Sequence, residues 1–155
     1  MADFVAQTIR KAGDWTEAFE ACVLTYEDRF LRRKVLKTAR GQTLLVDLAH
    51  TTSLDHGDAF ELDDGNLIQV SAAAEPLLQI TGDLVQLAWH IGNRHTPCQI
   101  EANRLLIQDD PVIGHMLKHL GATVTQVNEP FTPEGGAYGH GRTHSHEHGH
   151  TAHEH

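Results

Sequence analysis

Residues 76–127 read PLLQITGDLVQLAWHIGNRHTPCQIEANRLLIQDDPVIGHMLKHLGATVTQV, and the spacing of their apolar residues decides the fold. PLLQI (76–80) is a short apolar strand. Residues 82–91 then set Leu84, Leu87, Ala88 and Ile91 at i, i+3, i+4, i+7, one face of an amphipathic helix. Gly92 is placed to cap that helix in the left-handed conformation. PCQI (97–100) and RLLI (104–107) flank Glu101-Ala102-Asn103 and read as a hairpin. Asp109 or Asp110 can N-cap a second helix with Pro111 in its first turn. Val112, Ile113, Met116, Leu117 and Leu120 supply the apolar face of that helix, and Gly121 stops it. TVTQV (123–127) closes the unit. Strand, helix, strand, strand, helix, strand is the ferredoxin-like βαββαβ order.

Upstream, the pattern turns to β structure. ACVLTYE (21–27), FLRRKVLKT (30–38) and QTLLVDLA (42–49) are extended candidates, with a turn at Arg40-Gly41. Asp63-Asp64-Gly65-Asn66 separates AFEL from LIQV, a hairpin signature. The first fifteen residues admit either helix or strand. The expected architecture is therefore α+β: a small all-β domain (1–74), a ferredoxin-like domain (75–138) and a histidine-rich tail (139–155).

Thirteen histidines in 155 residues is an unusual number, and seven of them fall in the last sixteen: His140, His144, His146, His148, His150, His153 and His155. That stretch has no large aliphatic side chain and cannot bury a core, so it is expected to be disordered with its imidazoles solvated. Neutral imidazole suits nickel, zinc and copper, whereas calcium and magnesium take oxygen ligands. The histidines are interspersed with small and polar residues, unlike the uninterrupted run of an affinity tag. The tail signals a metal without choosing one.

The formal charge of −9 disfavours nucleic acid and anionic membranes as partners. No apolar run approaches the ~20 residues that cross a bilayer, and the start of the chain does not read as a signal peptide. Two cysteines, Cys22 and Cys98, make no disulfide framework. A cytoplasmic protein is expected.

Two segments carry a family resemblance: WHIGNRHTP (89–97), a helix ending in H-x-G-N-R-H-x-P, and NEPFTPEGGAY (128–138) ahead of the histidine-rich tail. Together they resemble the urease accessory metallochaperones of the UreE type. That resemblance implies a homodimer that binds nickel between its second domains, each subunit contributing the motif histidine, here His95. It also implies delivery of nickel to the apo-urease complex, with the accessory GTPase of that pathway as the immediate partner. Zinc and copper are also compatible with such ligands. Where some members of the family carry histidines before the second helix, this chain has Gln108-Asp109-Asp110-Pro111.

Other residues remain open to two readings. His90 lies in the last turn of the first helix, where packing or hydrogen bonding competes with ligation. His115 and His119, four apart, could chelate one ion or lie on a solvated face. Cys98 could be a soft ligand or a buried thiol. His50 and His56 read as surface residues. A nickel or zinc store fits the tail as well as delivery does, but not the GNRH motif; a neighbouring urease operon would separate the two. An enzyme is disfavoured, because there is no H-E-x-x-H, clustered Asp/His set or nucleophile motif.

Overall fold

A computed structural model describes residues 1–135, which divide into two compact units, Met1–Ala74 and the residues from Glu75 onward. In chain order the first unit contains β1 (Phe4–Arg10), β2 (Glu20–Leu24), β3 (Phe30–Lys37), β4 (Thr43–Ser53), β5 (Ala59–Leu62) and β6 (Leu67–Ala72). They form one six-stranded sheet in the order β2-β6-β5-β1-β4-β3. Of its five neighbouring pairs, β2–β6 and β1–β4 are parallel, while β5–β6, β1–β5 and β3–β4 are antiparallel.

Alternation along β4 explains the core. Leu44, Val46 and Leu48 are buried while Thr43, Leu45 and Asp47 are half-exposed, the period of two that a one-sided sheet imposes. The predicted Asp63–Asn66 turn joins β5 to β6, with Gly65 at φ 87° and the Asn66 N–H donating to Asp64 Oδ1. The ambiguous N-terminus is strand β1. Its register shifts between Ala6 and Thr8, so the inward residues are Phe4, Ala6 and Ile9, spaced two and then three apart. A bulge of this kind erases the strict alternation that marks a strand.

The extended segment expected over 21–27 stops at Leu24; Glu27–Arg29 instead forms a 3-10 turn. Arg29 causes the break. It is buried, its Nη1 donating to the Leu24 carbonyl at 2.9 Å and its Nε to the Leu54 carbonyl at 3.3 Å. A buried guanidinium needs such acceptors, and a turn brings them within reach.

The second unit contains β7 (Ala74–Thr81), α1 (Leu84–Asn93), β8 (Gln99–Ile100), β9 (Leu105–Gln108), α2 (Pro111–His119) and β10 (Thr123–Pro130). Its sheet runs β10-β7-β9-β8, with β9 antiparallel to both β7 and β8. Leu87 and Ile91 of α1 and Ile113 and Leu117 of α2 pack with Leu78, Ile80, Leu105 and Ile107 of the sheet in one apolar cluster. Asp110 caps α2, its Oδ1 accepting from the Val112 and Ile113 N–H groups at 2.9 and 3.1 Å, a contact of a kind that stabilises a helix by ~1 kcal/mol. Gly121 ends α2 at φ 92°. Arg104 ties the sheet together, donating to Glu101, Gln79 and both carboxylate oxygens of Glu129. These bonds hold the Glu101 and Glu129 carboxyls below their usual range.

Three expectations need correcting. α1 starts and ends two residues later than its apolar spacing suggested, because Asp83 caps it by accepting from the Gln86 N–H. Gly92 is consequently inside the helix and is not left-handed. Val112 and Leu120 do not join the buried face of α2; Val112 is 71% exposed. Finally, PCQI contributes only Gln99 and Ile100 as strand, since Pro97 has no N–H to give a ladder.

Candidate metal centre

The loop after α1 is built by the helix end itself. The His95 N–H donates to the Gly92 carbonyl at 2.9 Å and the Thr96 N–H to the Ile91 carbonyl at 3.3 Å. These are the two bonds of a Schellman motif, with Arg94 as C-cap and His95 in the next position. That position requires a left-handed backbone, and His95 adopts φ 58°. Among the described residues it is the only non-glycine with positive φ. Glycine is the usual occupant there because any Cβ is strained in this conformation. A side chain held against that preference in an exposed loop makes His95 a candidate functional position.

The surroundings of the loop are apolar and polar by turns. Asn93 and Arg94 are exposed. One turn and two turns back along α1, Trp89 and Val85 are 64% and 85% exposed, forming a stripe beside the buried one. The Trp89 ring meets the ring of His90 edge-on, centroids 5.1 Å apart. His90 thus has an aromatic contact, to the largely exposed ring of its chain neighbour. Gly92 lies farther along the exposed side of α1, and a Cβ built on it would meet nothing within 4 Å.

On the other side of His95, Cys98 packs against the apolar cluster of the second unit. Burial, with the Glu134 carboxylate as a lesser influence, pushes its thiol up to about 11. The thiolate, which is the metal ligand and nucleophile, is therefore scarce at neutral pH. Cys22, fully buried in the first unit, is pushed up to about 11 by the same cause. Both thiols should resist iodoacetamide in the native protein at pH 8 and react once it is unfolded. Rapid native alkylation, followed by mass spectrometry, would show that Cys98 is activated after all.

The backbone of Cys98 has a further part. Its carbonyl accepts from the Glu134 N–H at 2.9 Å, and Gln99 Oε1 accepts from the Thr132 N–H at 2.8 Å. With Phe131 buried, these bonds pin the PFTPE segment (130–134) alongside the short strand β8. The chain leading to the histidine-rich stretch thus departs next to the His95 loop. No sequence pattern announces that contact, because it joins residues far apart in the chain.

The remaining histidines are scattered. His50 and His56 are exposed in the first unit, where His56 Nδ1 accepts from the Ala72 N–H. His115 and His119 are exposed on α2. His140, His144, His146, His148, His150, His153 and His155 lie outside the described residues, as does the disorder expected of them. Among the described residues no group of three or more His, Cys, Asp or Glu side chains could hold a metal ion, and no helix is long and apolar enough to cross a membrane.

Both units match known families. The N-terminal domain of the UreE urease accessory protein matches residues 5–73, and the C-terminal domain of the same protein matches residues 67–155. The chain belongs to the UreE family of urease accessory proteins. Among curated relatives, the urease accessory protein UreE of Ruegeria pomeroyi is 67% identical over 141 residues, covering 90% of this chain and 95% of that one. The UreE of Cereibacter sphaeroides is 58% identical over 93% of this chain and 80% of its own length. That of Rhodobacter capsulatus is 56% identical, covering 93% and 92%. The UreE family is one of accessory proteins in urease maturation, not of catalytic enzymes.

Proposed function

We propose that this UreE-family protein is a nickel metallochaperone, cytoplasmic and without catalytic activity of its own, that delivers nickel for assembly of the urease metallocentre. The observation that carries the reading is the strained, exposed placement of His95 at the end of a helix bearing an unmatched apolar stripe. One imidazole cannot complete a coordination shell, and no described cluster of three ligands supplements it. Two-fold symmetry resolves the shortage: a homodimer formed along Val85, Trp89 and Gly92 brings two copies of His95 to one axis. The βαββαβ unit, read as ferredoxin-like over residues 75–138, is then the metal-binding and dimerisation domain.

In this reading the residues from 139 to 155 capture metal for the loop. Glu134 is anchored to Cys98, three residues from His95. His140 is six residues beyond Glu134, a reach of at most ~20 Å. The tail histidines are therefore tethered within range of the paired site and raise the local concentration of metal there. The accessory GTPase of urease maturation, acting with the apo-urease complex, is the proposed recipient. The small β domain (1–74) is left as a docking module.

Calorimetric nickel titration of the full chain beside a chain ending at Gly139, with mass read by light scattering, tests this division of labour. The full chain should bind several nickel ions per subunit. The shortened chain should stay dimeric and retain about one tight nickel per dimer. A shortened chain that is monomeric, or that binds one tight nickel per subunit, would contradict the shared site.

A further inference from the structure

We propose that His115 and His119 form a second divalent-metal site on the outer face of α2, taking a borderline cation such as zinc, nickel or copper through two imidazoles. The pair lies on a different element from the His95 loop, and the proposal holds whether or not that loop binds nickel. Residues four apart on a helix lie one above the other. Here the two Nε2 atoms approach to 3.2 Å, with ring centroids 4.6 Å apart and planes at 82°. Both residues are exposed, so no burial forces the rings together.

The separation itself identifies what the pair can hold. Without metal, two neutral rings meet this closely by sharing a proton, one Nε2–H donating to the lone pair of the other. A cation displaces that hydrogen bond: the donating ring shifts to the Nδ1–H tautomer, and the two rings turn until both Nε2 lone pairs converge on an ion beside the line between the nitrogens. With metal–nitrogen bonds of ~2.1 Å, a 3.2 Å separation corresponds to a nitrogen–metal–nitrogen angle of about 100°. That value lies between the right angle of octahedral or square sites and the wider tetrahedral angle, so nickel, copper and zinc all fit. The spacing is also that of the two helical histidines in H-E-x-x-H zinc sites, although the glutamate base of that motif is absent here.

The helix is held in place independently of the rings. Ile113, Gly114 and Leu117 are buried beneath it, and Asp110 caps its start. With only two protein ligands, water completes the shell, and metal exchanges more readily than at a closed site.

The test uses the 15N-labelled full chain titrated with zinc, following the ring nitrogens of His115 and His119, which are assigned from His115→Gln and His119→Gln variants. The two Nε2 signals should move together with a single midpoint. In the His119→Gln protein the His115 signal should need about tenfold more zinc, a loss of about 1.4 kcal/mol. A His95→Ala background should leave both signals behaving as before, which separates this site from the loop. Unequal midpoints, a His115 response indifferent to His119→Gln, or rings unmoved by zinc would overturn the assignment.

Discussion

Replacing His95 with glycine is expected to stabilise the fold by about 0.5–1 kcal/mol while weakening the proposed tight nickel binding at least about a hundredfold. The two effects have separate causes. The backbone at 95 is left-handed, φ 58°, where a Cβ is strained by ~1–2 kcal/mol and glycine is not. Part of that gain is offset by the greater freedom of glycine in the unfolded chain. The imidazole, however, is the proposed ligand, and glycine has none. His95→Ala removes the ligand but keeps the strained Cβ, so it should lose metal without gaining stability. Urea denaturation and nickel titration of both variants separate strain from ligation. Tight binding that survives both changes would end the role of His95 as ligand. A glycine variant less stable than the parent would show that imidazole contacts outweigh the backbone strain.

Trp89→Glu should convert the proposed dimer to monomers across the micromolar range and remove the proposed shared nickel site with it. Trp89 and Val85 stand 64% and 85% exposed along one side of α1, next to its buried stripe. Facing the same stripe on a second copy, a carboxylate would be buried without a partner, a penalty of several kcal/mol. The dimer Kd would then rise by a factor of about 100 or more. Gly92→Ala offers a milder counterpart. Within one chain its methyl group meets nothing, and alanine in a helix is favoured by ~0.5–1 kcal/mol. It should therefore stabilise the subunit yet weaken the dimer if helices approach closely there. Sedimentation over a range of concentrations reads both. A Trp89→Glu protein that remains dimeric would place the interface elsewhere.

Much of the second unit was legible in its residues because helix signals are local. Leu84, Leu87, Ala88 and Ile91 recur with the helical period, and Asp110-Pro111 marks a helix start by side-chain chemistry alone. In the first unit the Asp63–Asn66 turn was equally plain. The failures have physical causes too. The shift in register after Ala6 broke the alternation of β1, and the acceptors of Arg29 converted an expected strand end into a turn. Asp83 capped α1 two residues late, which drew Gly92 into the helix and passed the left-handed position to His95.

By itself the sequence determined the family, through the GNRH and EPF-x-PE-x-GAY segments, and with it the expectation of a metal-handling histidine at 95. It also placed the two helices, because capping and periodicity act over a few residues. Only the tertiary structure decided that His95 sits strained at φ 58°, and that Val85, Trp89 and Val112 find no cover within their own unit. It alone brought Glu134 to the Cys98 carbonyl and set the His115 and His119 nitrogens 3.2 Å apart. Burial and side-chain convergence depend on how distant segments pack, and a periodicity of three or four residues carries no information about that.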